Sequence, residues 1–184
     1  DVDGNDFWRL QAKVQFDGFV EKPAGDKETG SFTARNLFKS EDGRRTVCTE
    51  LTRYHFQRID EGLLLRIDAE YQSSERDFYF GDQEESGLAV RVASPLRVQG
   101  GNGTILNDRG EKHAGAIWGK EAKWFDYFGE IDGRRVGIMV VSDPANPRPS
   151  WLHARDYGVV VTNPFPKQPK ERREPYVETW VKKG

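Results

Sequence analysis

The chain has 184 residues, of which 28 are basic and 30 are acidic, so its net charge is only −2. This even balance predicts no face that strongly attracts nucleic acid or anionic lipid, and we expect neither nucleic acid nor a membrane as a partner. No segment has the roughly 20 consecutive apolar residues of a membrane helix, and no signal peptide is recognised.

Strand-like segments recur along the chain at short intervals. The clearest is Leu63–Gln72, where apolar and polar residues alternate as in a strand with one buried face. Convincing helical periodicity is absent, so we expect any helix to be a single short turn. The other predicted strands are Gln11–Val20, Ser31–Phe38, Arg45–Arg58, Leu88–Ala93, Leu96–Val98, Lys123–Glu130, Arg134–Ser142, Tyr157–Thr162 and Tyr176–Lys182.

Turn residues separate these segments. Asp42-Gly43 and Asp132-Gly133 each lie between strand-like runs, which is the strongest short hairpin signal, and Asp60-Glu61-Gly62 is a similar break. Two segments, Pro23–Gly30 and Pro164–Pro175, are rich in proline and charge and are predicted to be irregular loops. The pattern predicts an all-β fold, an antiparallel two-sheet β-sandwich with minimal helix.

Cysteine and histidine contribute little metal-binding potential. Cys48 is the only cysteine and lies in the alternating run Thr46–Phe56, where a buried structural thiol is the favoured interpretation. The three histidines, His55, His113 and His153, form no pair with the spacing of a zinc or copper site. We therefore assign no metal ligands.

Three carboxylates lie within four residues between two predicted strands, at Asp82, Glu84 and Glu85. Such a group could supply a general acid and a base, or bind a cation through its oxygens. A solvated acidic turn is the other interpretation, and the local sequence leaves these alternatives open.

The densest group of polar and aromatic residues lies in Trp118–Phe165. In a strand, His153 and Arg155 would share one face while Asp156 points to the other. A histidine and a guanidinium near carboxylates could take a proton and orient hydroxyl groups, although a structural ion pair for Arg155 is an equal alternative. Three indoles could pack in the core or stack on sugar rings: Trp118, Trp124 and Trp151.

Short motifs in consistent order carry a family resemblance. The chain resembles the PmoA-like family, a domain of unknown function labelled "methane oxygenase PmoA" and common in bacteria that degrade glycans. It departs from that pattern by lacking an upstream His-His-x-Gly segment. It also has Glu84 where Lys is usual, Ser142-Asp143-Pro144 where Asp-His-Pro is usual, and Leu152-His153 where Trp-His is usual. The motifs are Asp3–Trp8, Phe80-Gly81-Asp82 with Glu85 and Gly87, Arg91-Val92-Ala93, Asn107–Gly110, Trp118-Gly119-Lys120, Trp124, Asp126-Tyr127, Pro144-Ala145-Asn146, His153–Gly158 and Asn163-Pro164-Phe165.

The resemblance implies a role in bacterial carbohydrate catabolism, in a periplasmic or secreted setting. It also implies a sandwich related to mutarotase-like or lectin-like folds. We expect residues 1–184 to form a single domain of this kind, and the start at Asp1 without a Met fits a trimmed or partial family domain. The oxygenase label does not suit the chain, because methane monooxygenase subunits span membranes.

The first functional hypothesis is an enzyme that acts on a glycoside or sugar, with Asp82, Glu85 and His153 as catalytic residues. The alternatives are a non-catalytic carbohydrate-binding module and, more weakly, a metal-dependent oxidase. The expected partner is a mono- or oligosaccharide; no cofactor is required, a divalent cation could be accommodated, and the oligomeric state is open. The predicted substrate-binding residues are Arg91, Trp118, Lys120, Trp124, Asn146, Trp151, Arg155, Asp156 and Asn163.

The shared motifs also lead to a geometric expectation. We predict that Asp82, Glu85, Lys120, His153 and Arg155 converge on one concave face, because motif residues at strand ends are most simply explained by a common pocket. Charged groups brought this close must be paired or solvated.

Overall fold

The computed structural model describes residues 1–82, 85–165 and 178–184. This part of the chain is mostly β-strand in several antiparallel sheets with minimal helix, so the predicted β-sandwich-like all-β fold is confirmed. The elements are β1 (Lys13–Gly25), β2 (Thr29–Lys39), β3 (Thr46–Ile59), β4 (Gly62–Gln72), β5 (Phe78–Phe80), β6 (Leu88–Arg91), β7 (Thr104–Asn107), α1 (His113–Ile117), β8 (Trp124–Ile131), β9 (Arg134–Val141), β10 (Trp151–Arg155), β11 (Val159–Asn163) and β12 (Thr179–Val181).

The chain divides into two compact units. Unit 1 comprises Asp1–Phe80 and Trp180–Gly184, and unit 2 comprises Gly81–Thr179. The helix α1 is five residues long, as the absence of helical periodicity predicted. In the described part of the chain, no helix is both long enough and apolar enough to cross a membrane.

Unit 1 is built on a four-stranded antiparallel meander in the order β1-β2-β3-β4. The alternation that predicted β4 is present, and its apolar residues share one face with those of β3, since Tyr54 pairs with Ile67 and Phe56 with Leu65. At the base of the sheet, the ring of Phe80 on β5 packs edge-on against Tyr71, with centroids 5.0 Å apart. Cys48 is buried there, as predicted, and burial raises the pKa of its thiol to about 12.

The predicted loop Pro23–Gly30 is wrong, because most of it is strand. β1 continues to Gly25 and β2 begins at Thr29, so only three residues connect them. A side chain at Gly25 would lie 2.4 Å from the carbonyl oxygen of Thr29, so this close approach requires glycine. Pro23 is tolerated because β1 is an edge strand and its pairing is irregular at this end.

Unit 2 contains two three-stranded sheets, β10-β11-β6 and β7-β8-β9. One face of each contributes to a shared apolar core together with α1, as in a small sandwich. The largest buried side chain is Tyr127, whose hydroxyl accepts a hydrogen bond from the backbone of Val98 at 3.2 Å. The core consists of Val92, Leu96, Ile105, Ile117, Ala122, Phe125, Tyr127, Leu152, Ala154 and Val160.

Four sequence predictions in the second half of the chain have different outcomes. Asp132-Gly133 forms the predicted two-residue turn, with φ values of +52° and +74°, between β8 and β9. The predicted strand Leu96–Val98 is wrong, because Ser94–Leu96 forms a 3-10 turn with Pro95 in its first positions. Much of the predicted loop Pro164–Pro175 and the start of the last predicted strand lie outside the described residues.

Candidate functional site

The face of the β10-β11-β6 sheet that points away from the unit 2 core carries five of the twelve predicted site residues. Leu152 and Ala154 of β10 point into the core, so Trp151, His153 and Arg155 point to the opposite face. Antiparallel pairing places Asn163 beside Trp151 and places Val159 between Arg155 and Arg91. Five of the predicted residues are therefore aligned on one sheet face: Arg91, Trp151, His153, Arg155 and Asn163.

Trp118 joins this face from a neighbouring segment. The segment that contains Trp118 runs along the edge of β10 that does not face β11. Gly119 donates a backbone hydrogen bond to Leu152 at 2.8 Å, and Leu152 donates one to Lys120 at 2.9 Å. The guanidinium carbon of Arg155 lies 3.9 Å from the centre of the Trp118 ring. The ring of His153 meets the indole nearly at a right angle, with centroids 6.0 Å apart. Trp118, His153 and Arg155 thus form one packed cluster, which we call the Trp118 cluster.

The solvent exposure of the residues on this sheet face increases from one end to the other. His153 is only 3% exposed and Asn163 is fully buried, with its side-chain oxygen accepting a hydrogen bond from the backbone of Phe165 at 3.0 Å. Arg155 and Trp118 are half-buried and Arg91 is exposed. A ligand would therefore meet the guanidinium and the indole before it met the imidazole.

The turn between β10 and β11 completes the accessible end. The Arg91 guanidinium lies 5.7 Å from the ring of the exposed Tyr157, a cation–π contact. Asp156 lies in this turn rather than in β10, and its carboxylate accepts a hydrogen bond from the backbone of Ala114 at 2.9 Å. Asp156 therefore holds the first turn of α1.

Lys120 does not use its side chain in the Trp118 cluster. Its ammonium pairs with Glu111, which also accepts hydrogen bonds from Asn107 at 2.8 Å and from Arg109 at 3.3 Å. The bond from Lys120, followed by that from Asn107, lowers the pKa of the Glu111 carboxyl to about 2. The Lys120 side chain thus helps to stabilise the loop that follows β7.

The two remaining predicted binding residues lie on other parts of unit 2. Trp124 is half-buried on β8, where it pairs with Val141. Asn146 is exposed in a turn in which its backbone donates to the carbonyl of Asp143 at 3.0 Å. Their roles as ligand-binding residues stay predictions.

Asp82 and Glu85 flank a short stretch that lies outside the described residues, and both are half-buried. Gly87 fixes where this segment goes: it has φ of +103°, and a side chain there would lie 2.2 Å from the carbonyl oxygen of Thr162. The chain at Gly87 therefore packs against the end of β11, two residues after Glu85. Whether Asp82 and Glu85 reach His153 stays a prediction.

Comparison with known protein families assigns the chain to one family. The sequence profile of one family, described as a family of unknown function (DUF6807), matches residues 1–179. The chain belongs to the DUF6807 family. No curated protein and no solved structure matches it.

This match shows that the assignment to the PmoA-like family is wrong. The motifs behind that assignment consist largely of turn residues such as Asp-Gly and Asn-Pro and of aromatic residues. Glycine, asparagine, aspartate and proline are selected by turn geometry in many β-proteins, so their order along a chain is weak evidence for one family. The carbohydrate hypothesis for this DUF6807 chain consequently rests on its residues alone.

Metal coordination finds no support in the described part of the DUF6807 chain. No group of three or more His, Cys, Asp or Glu side chains there could hold a metal ion. A shallow hollow at the tip of the unit 1 sheet is lined by residues such as Phe56, Arg58 and Leu63, and none of the predicted site residues lines it.

Sequence reasoning missed two charged arrangements in unit 2. Glu111 received no role, although it directly follows the Asn107–Gly110 motif. Asp126 on β8 lies 3.6 Å from Arg135, whose guanidinium stacks 4.1 Å from the centre of the Phe128 ring. Partial burial raises the pKa of the Asp126 carboxyl, and Arg135 opposes that rise. The alternation of β8 and the hairpin turn after it contained the signal for this pairing.

Proposed function

We propose that this DUF6807 protein binds a carbohydrate at the Trp118 cluster. The observation that carries the proposal is the stacking of the Arg155 guanidinium on the Trp118 indole at 3.9 Å. A stacked guanidinium presents its N–H donors around its rim in one plane, which suits neighbouring hydroxyl oxygens of a sugar. The Trp118 indole is half-buried, and the part of its surface that Arg155 leaves accessible supplies an apolar contact for the C–H face of the sugar ring.

The surroundings of the pair support a polyhydroxylated ligand. Arg91 and Tyr157 extend the same sheet face at its accessible end, so donors and aromatic surface continue beyond Arg155. A sugar hydroxyl both donates and accepts, so it can satisfy guanidinium and phenol groups in turn. The net charge of −2 provides no positive surface that would attract nucleic acid.

Calorimetry across a panel of mono- and oligosaccharides tests the proposal. We expect weak binding of at least one sugar, and we expect Trp118→Ala and Arg155→Lys to weaken it about tenfold or more, a loss of about 1.4 kcal/mol. Lysine keeps the charge of Arg155 but loses the planar donor array. The controls are Trp8→Ala and Arg134→Lys, which change an exposed indole in unit 1 and an exposed arginine at the start of β9. No heat with any sugar, or equal effects of variants and controls, would contradict the proposal.

A catalytic role is the second candidate, favoured by the packing of Gly87 against β11. This contact directs the segment that carries Glu85 toward the sheet that carries His153. If the protein cleaves a glycosidic bond, Glu85→Gln should abolish turnover and leave binding nearly unchanged, because the amide keeps the shape but not the basicity of the carboxylate.

Product analysis and calorimetry on the same Glu85→Gln protein separate the two candidates. Glu130→Gln, at an exposed carboxylate of β8, is the control. Sugar binding without turnover in the unmodified protein would leave the binding module as the function. Turnover that survives Glu85→Gln would remove Glu85 from catalysis.

A further inference from the structure

One face of the unit 1 sheet is aromatic and aliphatic over several rows. The ring of Phe32 on β2 stacks on Tyr54 of β3 with centroids 4.7 Å apart, and it also contacts Phe56 at 6.0 Å and Phe19 at 5.7 Å. Pairing between β3 and β4 continues this surface, because Tyr54 and Phe56 lie beside aliphatic residues. We call it the aromatic face, formed by Phe19, Phe32, Tyr54, Phe56, Leu63, Leu65 and Ile67.

The opposite face of the same sheet is charged. It carries ion pairs between Asp17 and Arg35, between Glu21 and Arg53, and between Arg66 and Asp68. A sheet with one charged and one apolar face normally buries the apolar one. Here the aromatic face remains open toward the strand tips: Phe19 is 46% exposed, Leu65 42% and Leu63 63%. A contiguous apolar surface of this kind is characteristic of an interaction site.

We infer that the aromatic face is a self-association surface that packs face to face on the same face of a second copy. Two such sheets would stack about 10 Å apart, as the layers of a sandwich do. Four strands about 4.8 Å apart, over about eight residues of 3.4 Å each, give roughly 500 Å² of flat sheet per copy. Side chains raise the accessible area above this value, toward the ~800 Å² per partner of a specific interface.

Two charged groups on this face support a second copy and define its orientation. Glu50 lies at the base of the sheet, where its carboxylate accepts hydrogen bonds from Asn36 at 2.8 Å and from Tyr71 at 2.7 Å. Arg58 lies on the same face near the tip, because both are an even number of residues from Tyr54 on β3. Within the part of the chain that the structure describes, neither Glu50 nor Arg58 forms an ion pair with another residue.

Tyr54 is midway between these charges, four residues from each. Consider a two-fold axis that lies between the stacked sheets and runs perpendicular to the strands at the level of Tyr54. This axis would make β3 of the second copy run in the opposite direction to β3 of the first. Glu50 of each copy would then lie opposite Arg58 of the other, and the aromatic rows would meet in the centre. An axis parallel to the strands would instead place Arg58 opposite Arg58, so the charges favour the first arrangement.

The mass of the protein in solution, measured by sedimentation equilibrium over a range of concentrations, tests this inference. We expect a dimer of twice 21.0 kDa. Leu65→Lys should raise the dimer dissociation constant at least about tenfold, because it places a charge in the centre of the apolar contact. Leu64→Lys is the matched control: it changes the adjacent residue, which is 52% exposed on the charged face, and should leave the dimer intact.

The predicted orientation is tested by exchanging the charges. Arg58→Glu should weaken the dimer, and the double variant Glu50→Lys with Arg58→Glu should restore it, with circular dichroism confirming that each variant keeps its strands. A monomer at every concentration overturns the inference, including a monomer whose aromatic face binds phospholipid vesicles. A dimer that Leu65→Lys and Leu64→Lys affect equally also overturns it, whereas failure of sugar binding alone leaves it unchanged.

Discussion

Glu111 organises the loop that follows β7 through contacts with three different side chains. Lys120, Asn107 and Arg109 all approach its carboxylate. Asn107 is fully buried, and its side-chain oxygen in turn accepts bonds from the backbone of Arg109 at 3.1 Å and of Glu111 at 3.0 Å. The loop is thus held by one buried amide and one ionised carboxylate.

This arrangement makes part of the stability depend on pH. The pKa of Glu111 is about 2 in the folded protein, below the value of 4.5 for an unperturbed carboxyl. The stabilisation is therefore complete above pH 4.5 and is lost as the pH falls toward 2. We expect Glu111→Gln to lower the melting temperature at pH 7 and to lose this effect progressively below pH 4.5.

Thermal unfolding of both proteins between pH 7 and pH 3 checks this expectation. Glu130→Gln, at an exposed carboxylate of β8, serves as the control and should show no such pH-dependent difference. A melting-temperature difference that stays constant down to pH 3 would mean that the Glu111 carboxylate is not stabilised by its neighbours.

Residue-level prediction succeeded where a local pattern decides the outcome. The alternation in β10 correctly placed His153 and Arg155 on one face, where both contact Trp118. The partner of Arg155 could not be derived, because Trp118 is placed beside it by backbone bonds between Gly119 or Lys120 and Leu152, more than thirty residues along the chain. Lys120 and Glu111 are only nine residues apart, but no strand or helix period relates them, so the sequence did not indicate that they pair.

At the scale of elements, α1 depends on a residue from a distant turn. The backbone N–H of Ala114 in its first turn donates to the Asp156 carboxylate, which follows β10. No side chain at Lys112 caps the helix. A five-residue helix has little stability of its own, so this contact fixes its position.

We expect Asp156→Ala to destabilise the protein by about 1 kcal/mol, the typical cost of losing a side-chain acceptor at a helix start. Asp156→Asn keeps an acceptor oxygen and should cost clearly less. Denaturant unfolding measures both. If both variants leave stability unchanged but abolish sugar binding, Asp156 is a ligand-binding residue and its contact with α1 is incidental.

The hairpins show which elements could be predicted. Asp132-Gly133 combines two residues that tolerate positive φ, and the turn formed as expected. The β1–β2 connection was misjudged because Pro23–Gly30 has the composition of a loop. An edge strand tolerates proline, and Gly25 allows the close approach that the hairpin needs. Composition alone does not distinguish a loop from the end of an edge strand.

At the scale of the whole molecule, the single thiol offers a probe of unfolding. Cys48 is buried in unit 1 and its pKa is about 12, mainly through desolvation. A thiol in an unfolded chain has a pKa of about 8.5. At pH 8 the folded protein should therefore react with a thiol reagent much more slowly than the unfolded chain, because the thiol is covered and only the thiolate reacts.

Labelling with a maleimide in increasing urea, followed by mass spectrometry, measures this protection. The reaction should follow the loss of β-structure seen by circular dichroism. The fully denatured protein supplies the reference rate. Rapid labelling in the absence of urea would show that the sheet around Cys48 opens readily.

The order of strand pairing has a consequence for synthesis. Within the described residues, strands β1 to β4 pair with their neighbours in sequence and with no other strand, so this meander can form as soon as it leaves the ribosome. β6 is different: it pairs with β11, and Thr162 bonds to Leu88 across 74 residues. Nascent β6 must therefore wait, with its hydrogen-bonding edge unoccupied, until nearly the whole of unit 2 has been translated. During that interval the growing chain exposes both this strand and the completed meander.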